Sequence, residues 1–205
     1  AASCMQAAGG LDLMVKWAEK ILRKNPHHIT LLSPFVTYFF TFFAGTGHVA
    51  YSVLPVIAEV AKDTGIRPER PLGIAVIASQ QAITASPISA ATVAMLSMLA
   101  GYNISLFDIL KISIPCTLAG VLLGALYSMK VGKELKDDPE YQRRLAAGEI
   151  SGDGYHTTEV ASHGKALTSV ILFLAATIGI VLFGSIDGLR PTFTTAQGEV
   201  QMEMS

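Results

Sequence analysis

Long stretches of this chain contain no Asp, Glu, Lys or Arg: Asn25 to Ala58, Pro71 to Phe107, Ile112 to Met129 and Ala166 to Ile186. A helix that crosses a bilayer needs about 20 mostly apolar residues, and several of these stretches meet that length. The pattern predicts an all-α integral membrane chain whose polar segments are loops. Residues 1–28 read as the end of a helix followed by a polar patch that holds Lys16, Lys20, Arg23 and Lys24. The patch closes on Asn25-Pro26, a helix stop followed by a new start.

The segment 29–58 is too long for one ordinary span and too short for two. Its middle is Gly45-Thr46-Gly47-His48, a cluster that breaks helices. A re-entrant helical hairpin fits: two arms that enter part way, turn at the glycines and return. Loop charge supports it, because short cytoplasmic loops are enriched in Lys and Arg. The loop before 29–58 is basic, and the loop after it carries Lys62, Arg67 and Arg70. A hairpin puts both on one side, whereas a single span would separate them. Residues 71–100 then cross outward, and 101–108, with no Lys or Arg, lie outside. Residues 109–129 return, and 130–165, with six Lys or Arg, is a cytoplasmic loop. Residues 166–186 cross again, leaving 187–205 as an external tail. The expected architecture is a helical bundle with a re-entrant hairpin and a broken transmembrane helix.

The break is expected inside 71–100, whose centre reads Ser79-Gln80-Gln81-Ala82-Ile83-Thr84-Ala85-Ser86-Pro87-Ile88-Ser89. Proline removes a backbone donor and clashes with the preceding turn. The polar residues around it suggest an unwound segment between two half-helices. Irregular backbone at membrane depth is tolerated where it lines a cavity or is buried in protein. Two interrupted elements close in sequence point to one transporter binding site. Half-helix N-termini offer free N–H groups and partial positive charge to an anion. The expected substrate-binding set is Gly45, Thr46, Gly47, His48, Ser79, Gln80, Gln81, Thr84, Ser86, Pro87 and Ser89.

Each has a plainer alternative. Ser and Thr in membrane helices often bond to the carbonyl one turn back. His48 could relay protons or donate a hydrogen bond, or be a neutral packing residue. Arg67 and Arg70 could draw anions to the entrance, or only orient the chain. His27 and His28 are expected at the interface. Gly120 and Gly124 form a GxxxG that suits close helix packing.

Composition narrows the function classes. The chain is 51% hydrophobic and 15% charged with formal net charge −1, and its mean hydropathy is +0.46. Soluble domains carry roughly 25% charged residues. Near-zero charge gives no nucleic-acid surface. No enzyme signature, metal motif or cofactor motif is visible. Cys4 and Cys116 are expected to be small buried hydrophobes. The chain begins at Ala1 with no basic region ahead of an apolar segment, so no signal peptide is read. It reads as an excerpt of a longer carrier, which would supply the rest of the site.

Five runs also resemble a known family: GGLDLMVKWAEKILRKNP, FAGTGHVAYSVLPVIAEVAK, GIRPERP, ASQQAITASPISAA and LKDDPEYQRRL. In that order they resemble the anaerobic C4-dicarboxylate transporter (Dcu) family over roughly residues 1–150. The resemblance implies a multi-pass carrier of the bacterial inner membrane that exchanges fumarate, malate or aspartate for succinate in anaerobic fumarate respiration. It implies no cofactor, and partners limited to C4-dicarboxylates, the bilayer and the rest of the chain, with an oligomer possible. A looser likeness to the ion-transporter superfamily places Gly45-Thr46-Gly47 at a hairpin tip ahead of Pro55, and Thr84 to Ser89 in the break. The chain lacks the Ser-Asn-Thr tip of sodium-coupled relatives, which favours exchange or proton coupling. Two other readings stay open: a carrier of another anion or inorganic ion on the same fold, and an intramembrane enzyme or structural subunit.

Overall fold

The structure is a computed structural model that describes residues 10–131, 135–148, 163–185, 192–195 and 198–201. The first helix, α1, runs Gly10–Lys24. The polar patch expected to be loop from Lys16 is therefore helical to Lys24. Its pattern explains this, since Met14, Ala18 and Leu22 recur one turn apart and are all buried. Asn25-Pro26 ends the helix as expected, and a 3₁₀ turn, Pro26–His28, follows.

Two 16-residue helices come next, α2 (Ile29–Ala44) and α3 (His48–Asp63). They are joined at Gly45 and pack against each other and against α1. Arg23 of α1 meets Glu59 and Asp63 of α3 at 2.6 and 3.5 Å, and Glu19 of its own helix at 2.8 Å. The chain thus enters and leaves the α2–α3 pair at the same end. α3 continues past Ala58 into charged residues, because Val60 and Ala61 remain buried against α1 and α2.

The segment 71–100 holds α4 (Glu69–Ala85) and α5 (Ala90–Met98). The interruption is shorter than expected. Ser79 through Ala85 are regular helix, and only residues 86–89 leave it. The residue before a proline is pushed out of the helical region, and Ser86 has φ −76 and ψ 129. The polar residues upstream of Ser86 face no such constraint.

Ser105 and Asp108 form a reciprocal capping box that starts α6 (Leu106–Ser128), three residues before the expected boundary. At about 35 Å it is long enough for a hydrocarbon core of about 30 Å. Among the described residues it is the one helix both long and apolar enough to cross a membrane. The connector contains a 3₁₀ turn, Leu135–Asp137, and a short helix α7 (Pro139–Ala146). Then α8 (His163–Ser185) packs on α1 and α6. Strands β1 (Thr192–Thr195) and β2 (Gly198–Gln201) pair antiparallel, so the tail adds a small hairpin to the expected helices.

The bundle centres on α2 against α4. Ser33 Oγ donates to the Pro71 carbonyl at 3.1 Å, and one turn on Thr37 Oγ1 donates to the Ala75 carbonyl at 2.9 Å. Tyr38 bonds Thr117 of α6 at 2.8 Å. Polar side chains are therefore inside, while Ile112, Leu122, Leu123 and Leu126 of α6 face outward. The outward apolar face of α6 is unlike a soluble domain's surface, where large exposed apolar patches are rare. Cys116 also lies on this outward face, so it is exposed rather than buried; Cys4 lies outside the described residues. In the GxxxG pair only Gly124 is crowded. A Cβ there would come within 2.8 Å of Ile74 of α4, whereas Gly120 faces open space.

In the full-length protein, Thr37→Val should lower resistance to denaturation in detergent by about 0.5–1.5 kcal/mol, the range for one buried hydrogen bond. Ser97→Ala, an exposed hydroxyl that bonds only within α5, should change nothing measurable.

Candidate functional site

The glycine tip and the α4–α5 break lie against each other. α2 ends because Gly45 adopts φ +70, with its N–H donating to the Thr41 carbonyl at 2.8 Å. The last carbonyls of a helix lack helical partners, and one of them is claimed by the break: Ser86 Oγ donates to the Phe42 carbonyl at 2.6 Å. A Cβ on Gly45 would sit 2.7 Å from Ile88 Cγ1 and 3.1 Å from the Ile88 carbonyl oxygen. Backbone therefore meets backbone, and a side chain would part them. Gly47 lies beside Gln80 and Ile83 of α4, with distances from an added Cβ of 3.2 and 3.3 Å.

The expected residues divide by environment. Ser79, Ser86, Pro87 and Ser89 are buried. Ser79 bonds back to the Val76 carbonyl at 3.0 Å. Ser89 caps α5, accepting from the Thr92 amide at 3.2 Å. These serines hold backbone in place. Thr84 is exposed but donates back to the Gln81 carbonyl at 2.7 Å. Thr46 is partly exposed at the tip, where the His48 amide approaches its hydroxyl at 3.5 Å. His48, Gln80 and Gln81 are exposed. An apolar groove of about 450 Å³ runs beside the same junction. Its walls are mostly apolar, among them Phe42, Phe43, Pro87 and Ile114, and Lys111 and Thr177 also line it.

The structure also engages the two arginines of the α3–α4 loop. Arg67 pairs with Glu69 at 3.0 Å and Asp138 at 3.3 Å. The Glu69 carboxylate, with Asp138 behind it, holds the guanidinium pKa above its usual value. Arg70 donates to the Val131 carbonyl. Both fasten the loop to the connector after α6, and the charge of Arg67 is answered by Glu69 and Asp138.

Four contributors escaped sequence reasoning. Phe42 acts through its carbonyl and Ile88 through its main chain, and neither carries a side-chain signal. Thr92 could have been found, since a Ser followed three residues later by a polar residue is a helix-start pattern. Tyr51 is exposed next to His48, with ring centres 6.1 Å apart. It lies one turn along α3, where an aromatic reads as ordinary packing.

A family model described as "Anaerobic c4-dicarboxylate membrane transporter" matches residues 1–205. The chain belongs to this family. It is 50% identical over 188 residues to the C4-dicarboxylate transporter DcuA of Escherichia coli K12, covering 91% of this chain and 43% of that protein. It is 48% identical over 185 residues to DcuA of Wolinella succinogenes, covering 90% and 42%. Against the anaerobic C4-dicarboxylate transporter DcuB of E. coli O6:H1 it is 39% identical over 202 residues, covering 94% and 45%. The chain thus spans less than half the length of these relatives. No solved structure matches it. Membership makes this a chain of a membrane transporter family, which accounts for the outward-facing apolar residues of α6.

Two glycines share a left-handed backbone but not a setting: Gly45 at φ +70 touches Ile88, and Gly65 at φ +71 has nothing within 4 Å of an added Cβ. Gly65→Ala should cost about 1–2 kcal/mol for backbone conformation alone. Gly45→Ala should cost clearly more and should reduce transport at equal protein abundance. Melting temperature and initial uptake rate of the full-length variants check both.

Proposed function

We infer that the full-length protein exchanges C4-dicarboxylates across the bacterial inner membrane, taking up fumarate, malate or aspartate against succinate, and that this chain supplies one part of the substrate site. The observation that carries the reading is the junction of the Gly45–Gly47 tip with the 86–89 break. Carriers place substrates where interrupted helices meet at membrane depth. Here an interrupted helix meets a glycine turn, and neutral donors surround the contact.

The α2–α3 pair is the re-entrant element of this reading. Each arm measures about 24 Å, short of the roughly 30 Å core. Arg23, before the pair, bonds Glu59 near its end, which supports a shared face for both flanks, and loop charge favours the cytoplasmic one. α4 with α5, then α6, then α8 make the three crossings. The tip lacks the Ser-Asn-Thr of sodium-coupled relatives, which supports exchange or proton coupling. The relatives' designation as C4-dicarboxylate transporters supports dicarboxylate cargo over an inorganic ion.

Liposomes that hold the full-length protein and internal succinate should accumulate labelled fumarate; no accumulation above protein-free liposomes sinks the reading. Cysteines introduced at Lys24 and Lys62 in a cysteine-free carrier should label from the cytoplasmic side, and one at Tyr102 from the other. Labelling of Lys24 and Lys62 from opposite sides removes the re-entrant hairpin.

A further inference from the structure

One face of α4 is left uncovered by the described residues. Gly73, Val76, Ile77, Gln80, Gln81 and Thr84 are exposed at spacings of three and four residues, which places them on a single stripe. The stripe changes character along its length. It is apolar through Ile77 and becomes polar over the last turns before the break. Neither Gln80 nor Gln81 has a hydrogen-bond partner among the described residues. An unanswered carboxamide in hydrocarbon is costly, so this end of α4 must face polar surroundings at membrane depth. The buried serines are already committed to backbone, and Thr84 has used its donor.

We propose that Gln80 is the side chain through which this part of the site meets a substrate carboxylate, and that residue 47 is glycine in order to seat it. The proposal rests on the dicarboxylate-exchange reading given above. A carboxamide offers two N–H donors to a carboxylate without a fixed charge. Such a bond is strong enough to select the anion, yet weaker than one from Arg or Lys. Exchange requires release on both sides of the membrane, which favours the weaker donor.

Gly47 is not required by its backbone. Its φ is −69, in the ordinary helical region. It is required by space, since an added Cβ would stand 3.2 Å from Gln80 Nε2 and 3.3 Å from Ile83 Cδ1. Both contacts are the ends of side chains that can give way. A methyl group at 47 would therefore leave the fold intact and shift the Gln80 carboxamide by a few tenths of an ångström. This separates Gly47 from Gly45, whose missing side chain would strike main chain. Gly47 is a positioning residue that acts through Gln80.

The test uses the full-length carrier in the succinate-loaded liposomes, with labelled fumarate outside. Gln80→Met keeps length and removes the donors. It should raise the half-saturation concentration about tenfold or more, as expected for a lost bond to a charged group, with the maximal rate per carrier little changed. Gly47→Ala should raise half-saturation by a smaller factor. The double variant should match Gln80→Met alone, because Gly47 has no effect once the carboxamide is gone. Equal detergent melting temperatures for wild type and Gly47→Ala would support seating, whereas a lowered melting temperature for Gly47→Ala would mark the glycine as structural. Unchanged half-saturation in Gln80→Met, or factors that simply multiply in the double variant, overturns the proposal while leaving dicarboxylate exchange standing. A wild-type carrier that exchanges no dicarboxylate removes the reading beneath it.

Discussion

The junction between the glycine tip and the α4–α5 break is the constraint on which the rest of this structure depends. Helix α2 stops with carbonyls that lack helical partners, and α4 stops at Ala85, two residues before Pro87. Each end is costly by itself in an apolar medium, where unsatisfied backbone groups find no water. They are joined instead. The Ser86 hydroxyl takes the Phe42 carbonyl, Ser89 caps the first turn of α5, and the missing side chain of Gly45 lets the two backbones touch. One contact therefore stabilises two interruptions in a helical bundle.

The register of α2 on α4 leads to that contact. Ser33 reaches Pro71 and Thr37 reaches Ala75, so bonds recur every four residues on both helices. One turn further the same offset pairs Thr41 with Ser79. There the pattern changes: Ser79 turns back to its own helix, and the buried Thr41 hydroxyl has no hydrogen-bond partner among the described residues. The direct α2–α4 side-chain bonds thus stop at Thr37, and beyond Thr41 the contact passes to the break, where Ser86 takes the Phe42 carbonyl.

Much of this was legible in the residues. Charge-free stretches marked the helices, Asn25-Pro26 marked a boundary, and Gly45-Thr46-Gly47 marked the turn. The break was legible but overdrawn. Pro87 acts on the residue immediately before it, and polarity alone does not unwind a helix, so Ser79 through Ala85 remain helical. The polar part of α1 was misread for a related reason: its charges look like loop, but Met14, Ala18 and Leu22 keep a helical spacing that outweighs them. What could not be read is what lies across from what. Nothing in the sequence says that Ser86 meets a main-chain carbonyl, that Gly47 lies under Gln80, or that Arg67 is answered by Asp138 from beyond α6.

That last pairing bears on how an anion is recognised. Arg67 is held between Glu69 and Asp138, so its charge is answered at the base of the α2–α3 pair, while Arg70 bonds the neutral Val131 carbonyl. The tip and the break contain no Lys or Arg, and Lys111 of α6 lines the groove beside them. On the dicarboxylate-exchange reading proposed above, neutral donors at the junction would replace only part of a bound dianion's lost hydration. That reading therefore needs a positive charge from outside the tip and the break, with the neutral donors discriminating by hydrogen-bond geometry.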